Sequence, residues 1–245
     1  PQPSEKELEK IYTDSYFDRG NKYSKANDVN IKNDKKKLSI IKRNISKGKL
    51  LDIGCAKGDF LFLAKKNSFE VTGVEISKDA CESAKKKQLN VFNSDLLSKK
   101  FDSDYFDVVT MWDVIEHLKN PKQIIDEIHR ILKPNGLIFF STGDVSSKYA
   151  RISGYYWHLL TPPQHLFYFS PKSVKSLFNN KQFLSKETVY EGKYVTLGFL
   201  FFKAEETFGK IISPFRYIIN KLRIDNIFIK INLFDIFITV CQKKG

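Results

Sequence analysis

Leu50-Leu51-Asp52-Ile53-Gly54-Cys55-Ala56-Lys57-Gly58-Asp59-Phe60-Leu61 is the stretch that decides how the chain folds. Two apolar residues and an acid run into a small-residue loop, and an apolar run resumes at Phe60. That order reads as strand, tight turn and helix start. Gly54 can take backbone angles closed to other residues, and Gly58 lets the following helix approach the strand. A helix opening there aims unpaired N–H groups and a positive dipole end into the crevice above the strand. The expected occupant is a polar or anionic group of adenosine-like shape.

Outward from that stretch the pattern repeats. Glu70-Val71-Thr72-Gly73-Val74-Glu75-Ile76-Ser77 reads as a second strand ending in an acid, with Glu75 placed 23 positions beyond Asp52. A Rossmann-type unit sets a carboxylate at about that distance to accept from ribose hydroxyls. A helix over 78–87, a strand over 89–93 with Asp95 behind it, and the β-rich run Phe106-Asp107-Val108-Val109-Thr110-Met111-Trp112 ending at Asp113 follow. Asn120 caps and Pro121 starts a helix whose Ile124, Ile125, Ile128, Ile131 and Leu132 form one apolar stripe. Lys133-Pro134-Asn135-Gly136 reads as a turn before a fifth strand over 137–141. Such alternation predicts an α/β fold with a doubly wound parallel sheet.

Residues 144–169 interrupt the alternation with Tyr149, Tyr155, Tyr156, Trp157, His158, His165, Phe167, Tyr168 and Phe169 around Pro162-Pro163. A long aromatic loop beyond a strand's carboxyl end is where open α/β sheets bind ligands. Ser170-Pro171 opens a short helix, and strands are expected near 184–190 and over 234–241. At the other end, residues 1–46 read as helical and polar, with a capping box at Ser4 and Glu7 and a second helix around 34–45. Tyr12, Tyr16, Phe17 and Tyr23 there serve either packing or a lid over the crevice. Residues 194–222 are apolar and studded with Lys203, Lys210, Arg216 and Lys221, as one or two helices bent at Pro214. They either cover the substrate side of the sheet or present an interfacial face to lipid.

The chain of 245 residues is long enough for a substantial core, and 42% apolar content marks a globular chain. Lys and Arg number 41 against 28 Asp and Glu, a net +13. The lysines are scattered in short runs and abundant together with Asn, Ile and Phe, the usage of an AT-rich genome, so nucleic acid is not the expected partner. Cys55, Cys81 and Cys241 form no CxxC pair and no metal spacing, so no metal is expected and a reducing, cytoplasmic compartment fits. No signal peptide or spanning run is evident, and the chain begins at Pro1 without methionine, as a processed or shortened chain would.

These motifs, taken in order, resemble class I S-adenosylmethionine-dependent methyltransferases, within the branch of ubiquinone-biosynthesis-type O-methyltransferases and sugar or natural-product methyltransferases. Leu51-Asp52-Ile53-Gly54-Cys55-Ala56-Lys57-Gly58 is similar to the first motif, with Ala56 in place of the commoner middle glycine. Gly73-Val74-Glu75-Ile76 resembles the ribose-binding acid, and Asn93-Ser94-Asp95-Leu96 the segment bordering adenine. Asp113-Val114-Ile115-Glu116-His117-Leu118 and Ile131-Leu132-Lys133-Pro134-Asn135-Gly136 resemble the fourth and fifth strand signatures, and His165-Leu166-Phe167-Tyr168-Phe169-Ser170 a segment of this branch. Residues 1–8 resemble the linker that, in some relatives, follows a cysteine-rich zinc-binding segment, which implies a natural protein extending upstream.

The resemblance implies a Rossmann-like, mostly parallel seven-stranded sheet with its last strand antiparallel, an N-terminal helical lid (1–46), a cofactor-binding core (47–190) holding a substrate loop (144–169), a helical insertion (191–232) and a final strand (233–245). It implies S-adenosylmethionine as cofactor, S-adenosylhomocysteine as product, and a small-molecule acceptor methylated at a hydroxyl rather than at N or C. Asp52, Gly54, Cys55, Gly58, Glu75, Ile76, Asp95, Leu96, Trp112 and Tyr16 are the implied cofactor contacts. His165, His117 and Asp113 are the implied catalytic residues, with His158 in reserve and His129 on the exposed side of its helix. An RNA or protein methyltransferase and a non-catalytic binding protein remain as alternatives. A nicotinamide enzyme is disfavoured, because Gly54 and Gly58 do not make a GxGxxG.

Overall fold

The computed structural model describes residues 26–245, so the expectations for Ser4, Glu7, Tyr12, Tyr16, Phe17 and Tyr23 lie outside the described residues. The first half of the chain alternates as expected: α1 (Ala26–Asn44), β1 (Gly48–Ile53), α2 (Asp59–Lys65), β2 (Phe69–Glu75), α3 (Lys78–Lys86), β3 (Asn90–Asn93), α4 (Leu96–Lys99) and β4 (Phe106–Trp112). Then come α5 (Pro121–Ile131), β5 (Leu132–Gly143), α6 (Lys148–Ser153), α7 (Pro171–Asn179) and β6 (Phe183–Val189). The last stretch holds β7 (Lys193–Thr196), α8 (Leu197–Phe208), α9 (Ser213–Lys221), β8 (Phe228–Ile231) and β9 (Ile236–Lys243).

Side-chain alternation along β1 sets the layers. Leu50 and Leu51 point to opposite faces of the sheet and both are fully buried, so helices have to cover both sides. On one face Leu38 and Ile41 of α1, Leu61 of α2 and Ala84 of α3 pack with Leu50, Val108 and Phe139. On the other, Leu96 of α4, Ile125 and Ile128 of α5 and Phe178 of α7 pack with Leu51, Val109 and Phe140. Phe140 and Phe178 stack with ring centroids 4.7 Å apart. The described part of the expected lid, α1, is thus a layer of the core.

The main sheet has seven strands in the order β3-β2-β1-β4-β5-β9-β6. Its pairs are parallel from β3 to β5, and β9 runs antiparallel to both β5 and β6. The order reverses between β1 and β4, which opens a crevice at their carboxyl ends.

Two local expectations change. The turn at 133–136 lies inside β5 as a bulge: Phe106 pairs with Leu132 but Val108 with Leu137, and Asn135 sits at φ 64. Pro134 has no N–H to give the ladder, so the excess residues bow outward. The insertion at 191–232 is more than helical, because β7 and β8 pair antiparallel from Lys193 with Ile231 to Thr196 with Phe228. Pro214 starts α9 instead of bending one long helix, at a position where its missing N–H costs nothing. On either side of that break Ile211, Phe215, Ile218 and Leu222 lie at helical spacing on an open face, each at least half exposed. Among the described residues no helix is long and apolar enough to cross a membrane.

Candidate active site

The crevice is built from backbone that side chains would obstruct. Gly54 leaves β1 at φ 69, and a Cβ there would sit 2.7 Å from the Val114 side chain. Gly58 caps α2 at φ 77, against Leu89 and Ala84. Across from Gly54, Glu75 ends β2 only 4% exposed, accepting from the Ala56 N–H at 2.9 Å and the Ser77 N–H at 2.8 Å. Burial raises its pKa, against the pull of those N–H groups. Ile76 beside it is well exposed, and Asn93 braces the turn by donating to the Glu75 and Ile76 carbonyls.

Other residues of the expected cofactor set lie differently. Asp52 is buried beneath the loop, accepts from the Thr110 hydroxyl at 2.7 Å, and is pushed by burial to about 7. Cys55 packs its thiol into the core, and burial drives its pKa far up, so toward the crevice it can offer backbone only. Leu96 belongs to the core. Asp95 is exposed and spends its carboxylate on capping α4, through the Ser98 N–H at 2.9 Å and hydroxyl at 2.6 Å. Trp112 packs edge-on against Phe60, and its buried Nε1 has no partner among the described residues.

At the end of β4 the chain turns sharply, with Asp113 at φ 54. Ser141 donates its hydroxyl to Asp113 Oδ1 at 2.7 Å, and Lys193 Nζ reaches Oδ2 at 3.0 Å. Burial would raise the Asp113 pKa, yet Lys193 and then Lys37 outweigh it and hold the carboxyl well below its usual range. Three residues on, Glu116 is 5% exposed and accepts from the Thr142 hydroxyl at 3.1 Å. Burial, then the Asp113 charge, pushes it up to about 8.

His117 and His165 face each other edge to face with ring centroids 4.8 Å apart. His117 Nδ1 lies 2.8 Å from the Gln164 carbonyl and His165 Nδ1 2.7 Å from that of Leu159. A carbonyl only accepts, so each Nδ1 carries the proton and each Nε2 the lone pair. Burial lowers both pKa values, that of His165 to about 4 with help from His117. The Glu116 carbonyl accepts from the Leu166 and Phe167 N–H groups, which ties the aromatic loop to the turn after β4.

Asp113, His117 and His165 therefore share one end of the sheet. His158 stands apart, 3.6 Å from Asp235, which Trp157 Nε1 also reaches at 2.9 Å. His129 is half-buried against Phe183, not on an exposed face, because its ring fills the edge of the α5 layer. Sequence reasoning missed Glu116 and Lys193 as site residues. Glu116 stood inside a quoted motif, whereas Lys193 carried no local signal.

The sequence pattern of a methyltransferase-domain family matches residues 27–184. An uncharacterized protein of Methanocaldococcus jannaschii is 29% identical over 82% of this chain and 86% of its own length. A ubiquinone biosynthesis O-methyltransferase of Coxiella burnetii is 34% identical over 43% of this chain, which spans only about half (49%) of that enzyme. A crystal structure of an S-adenosylmethionine-dependent methyltransferase from Archaeoglobus fulgidus shares the fold at a TM-score of 0.61, with 20% identity, covering 95% of this chain and all (100%) of that one.

Proposed function

The chain belongs to the methyltransferase-domain family and is an S-adenosylmethionine-dependent methyltransferase, and from that premise we propose that it methylates a hydroxyl of a small acceptor held beside His117 and His165. The crevice fits the cofactor: Gly54 leaves room that a Cβ would fill, and the Glu75 carboxylate, fixed by two N–H groups, keeps lone pairs for ribose hydroxyls. Gly54, Cys55 and Ala56 would lend backbone, Ile76 a wall, and Asp113 negative charge toward the cofactor's cationic end. When bound, S-adenosylmethionine supplies an electrophilic methyl group on sulfur.

The observation that carries the hydroxyl reading is the pair of neutral imidazoles whose Nε2 lone pairs are set by backbone carbonyls. A hydroxyl needs its proton removed as it attacks, and a positioned imidazole is suited to accept it. His165 is the preferred base because it comes from the aromatic loop, which would also cover the acceptor and exclude water. The partial likeness to an enzyme named as an O-methyltransferase points the same way.

The test is His165→Gln assayed for S-adenosylhomocysteine release against phenolic, sugar and amine acceptors. Turnover on the hydroxyl acceptor should fall by about 100-fold or more, with cofactor affinity retained. Undiminished turnover, or methylation of amines alone, would overturn the reading.

The stripe Ile211, Phe215, Ile218 and Leu222, bordered by exposed Lys221 and Arg223, favours a second element of the proposal: peripheral contact with an anionic membrane that holds a greasy acceptor. An apolar face rimmed by cations is the pattern of an interfacial helix.

A further inference from the structure

We infer that Lys193 is a positioning residue of the methyl-transfer site: together with Ser141 it clamps the Asp113 carboxylate in one orientation, toward the cofactor's cationic end. The inference rests on the placement of Asp113 beside the cofactor proposed above. It adds a residue of the insertion, beyond the span 27–184 that the family pattern matches.

The clamp has two jaws. Asp113 stands at φ 54, where few residues other than glycine rest, and its N–H is shared between the Ser141 carbonyl at 3.2 Å and the Ser141 hydroxyl at 3.0 Å. That same hydroxyl donates to Oδ1 at 2.7 Å, so Ser141 fixes the turn and one carboxylate oxygen at once. A single anchor leaves the carboxylate free to swing about it. The Lys193 ammonium, 3.0 Å from Oδ2, removes that freedom. Glu116 and Asp235 also lie within electrostatic reach of this ammonium, yet among the described residues Asp113 is the acid it pairs with.

The strand that carries Lys193 is itself tied down. Four residues paired with another four make a weak ribbon, which needs outside support. That support comes from α1, which grips β7 on either side of Lys193. Lys36 Nζ donates to the Gly192 carbonyl. Asn33 takes both backbone groups of Tyr194: its Oδ1 accepts from the N–H at 2.8 Å, and its Nδ2 donates to the carbonyl at 3.1 Å. The Asn33 amide thus stands in for a neighbouring strand along the outer edge of β7. Because α1 is a layer of the core, Lys193 is held by its backbone as well as by its charge. A carboxylate already fixed in this way receives a cation without first losing its own freedom, so the clamp should show in cofactor affinity.

S-adenosylmethionine binding to the full chain, measured by calorimetry without acceptor, tests the inference in a double-mutant cycle. Lys193→Met should weaken binding about tenfold, and Lys193→Arg should recover most of the loss, since a guanidinium keeps the charge and a donor for Oδ2. Beside Asp113→Asn, Lys193→Met should cost less than about twofold more, because the carboxylate through which Lys193 acts is gone. Lys193→Met could fold poorly, so Asn33→Leu gives a second route. It keeps both charges and loosens only β7, and affinity should fall about threefold with Asp113 present and hold steady beside Asp113→Asn. Unchanged binding in Lys193→Met would overturn the inference, as would tighter binding, which would mean that Lys193 merely repels the cofactor's positive end. No recovery in Lys193→Arg, or losses that persist in full beside Asp113→Asn, would overturn it too. If Asp113→Asn alone leaves affinity intact, the placement of Asp113 beside the cofactor fails and the inference falls with it. If Asp113→Asn weakens binding while Lys193→Met does not, the inference alone fails. No acceptor enters the experiment, so the hydroxyl reading stands apart from every outcome.

Discussion

Replacing Asp52 by asparagine should change how the stability of the chain depends on pH. The Asp52 carboxyl is 2% exposed and has the Thr110 hydroxyl as its side-chain donor, so ionisation inside the fold is opposed by lost hydration. Its pKa rises from an ordinary 3.8 to about 7, which makes the folded chain hold this proton more tightly than the unfolded one. The contribution of Asp52 to stability is therefore fully present below about pH 4, is lost as pH climbs through the window between the two values, and levels off above about 7. At about 1.4 kcal/mol per pH unit, the whole decline is roughly 4 kcal/mol, of which about 2–3 kcal/mol falls between pH 5 and pH 8. The Asp52→Asn variant keeps an oxygen for Thr110 and cannot ionise at this position, so it escapes the decline. Urea unfolding of both proteins across that range, without cofactor, should show a gap in favour of the variant that widens as pH rises. Glu75 and Glu116 titrate in both proteins and cancel. Two parallel curves would mean that Asp52 ionises as easily inside as outside, and the argument from burial would fail.

Glu75→Gln should weaken cofactor binding about tenfold or more in calorimetry, because an amide turns an NH2 toward the Ala56 or Ser77 N–H and forfeits an acceptor for ribose; unchanged affinity would remove Glu75 from the cofactor site. Phe215→Ser combined with Ile218→Ser should cut co-sedimentation with phosphatidylglycerol vesicles several-fold while leaving cofactor affinity alone. If the unaltered chain ignores such vesicles, the membrane-contact proposal fails.

The layered fold was legible because its signals are local. Leu50 and Leu51 alternate within one strand, and the isoleucine stripe of α5 marks its own buried face. The Gly54 and Gly58 turn was legible for the same reason, since a left-handed φ narrows the choice of residue. What escaped depends on partners far along the chain. β7 is four residues long and finds β8 across an intervening pair of helices, so no periodicity announces it. The Cys55 thiol reads as a loop side chain in sequence, yet a Cβ on Gly73 would lie only 2.6 Å from it, a close approach visible only once β2 is laid beside β1.

Lys193 shows what such a distant partner does to the chemistry. Asp113 and Glu116 lie three positions apart at one strand end, and a local reading would treat them as a pair of similar acids. The β7 strand delivers a cation to Asp113, which drops far below its usual range, while Glu116, deeper and facing that anionic neighbour, climbs to about 8. The turn thus carries its negative charge on Asp113, where Lys193 balances it, while burial and that neighbouring charge make Glu116 the weaker acid of the two. Asp113 is held ionised by a residue of the chain itself, delivered from a strand 80 positions further on.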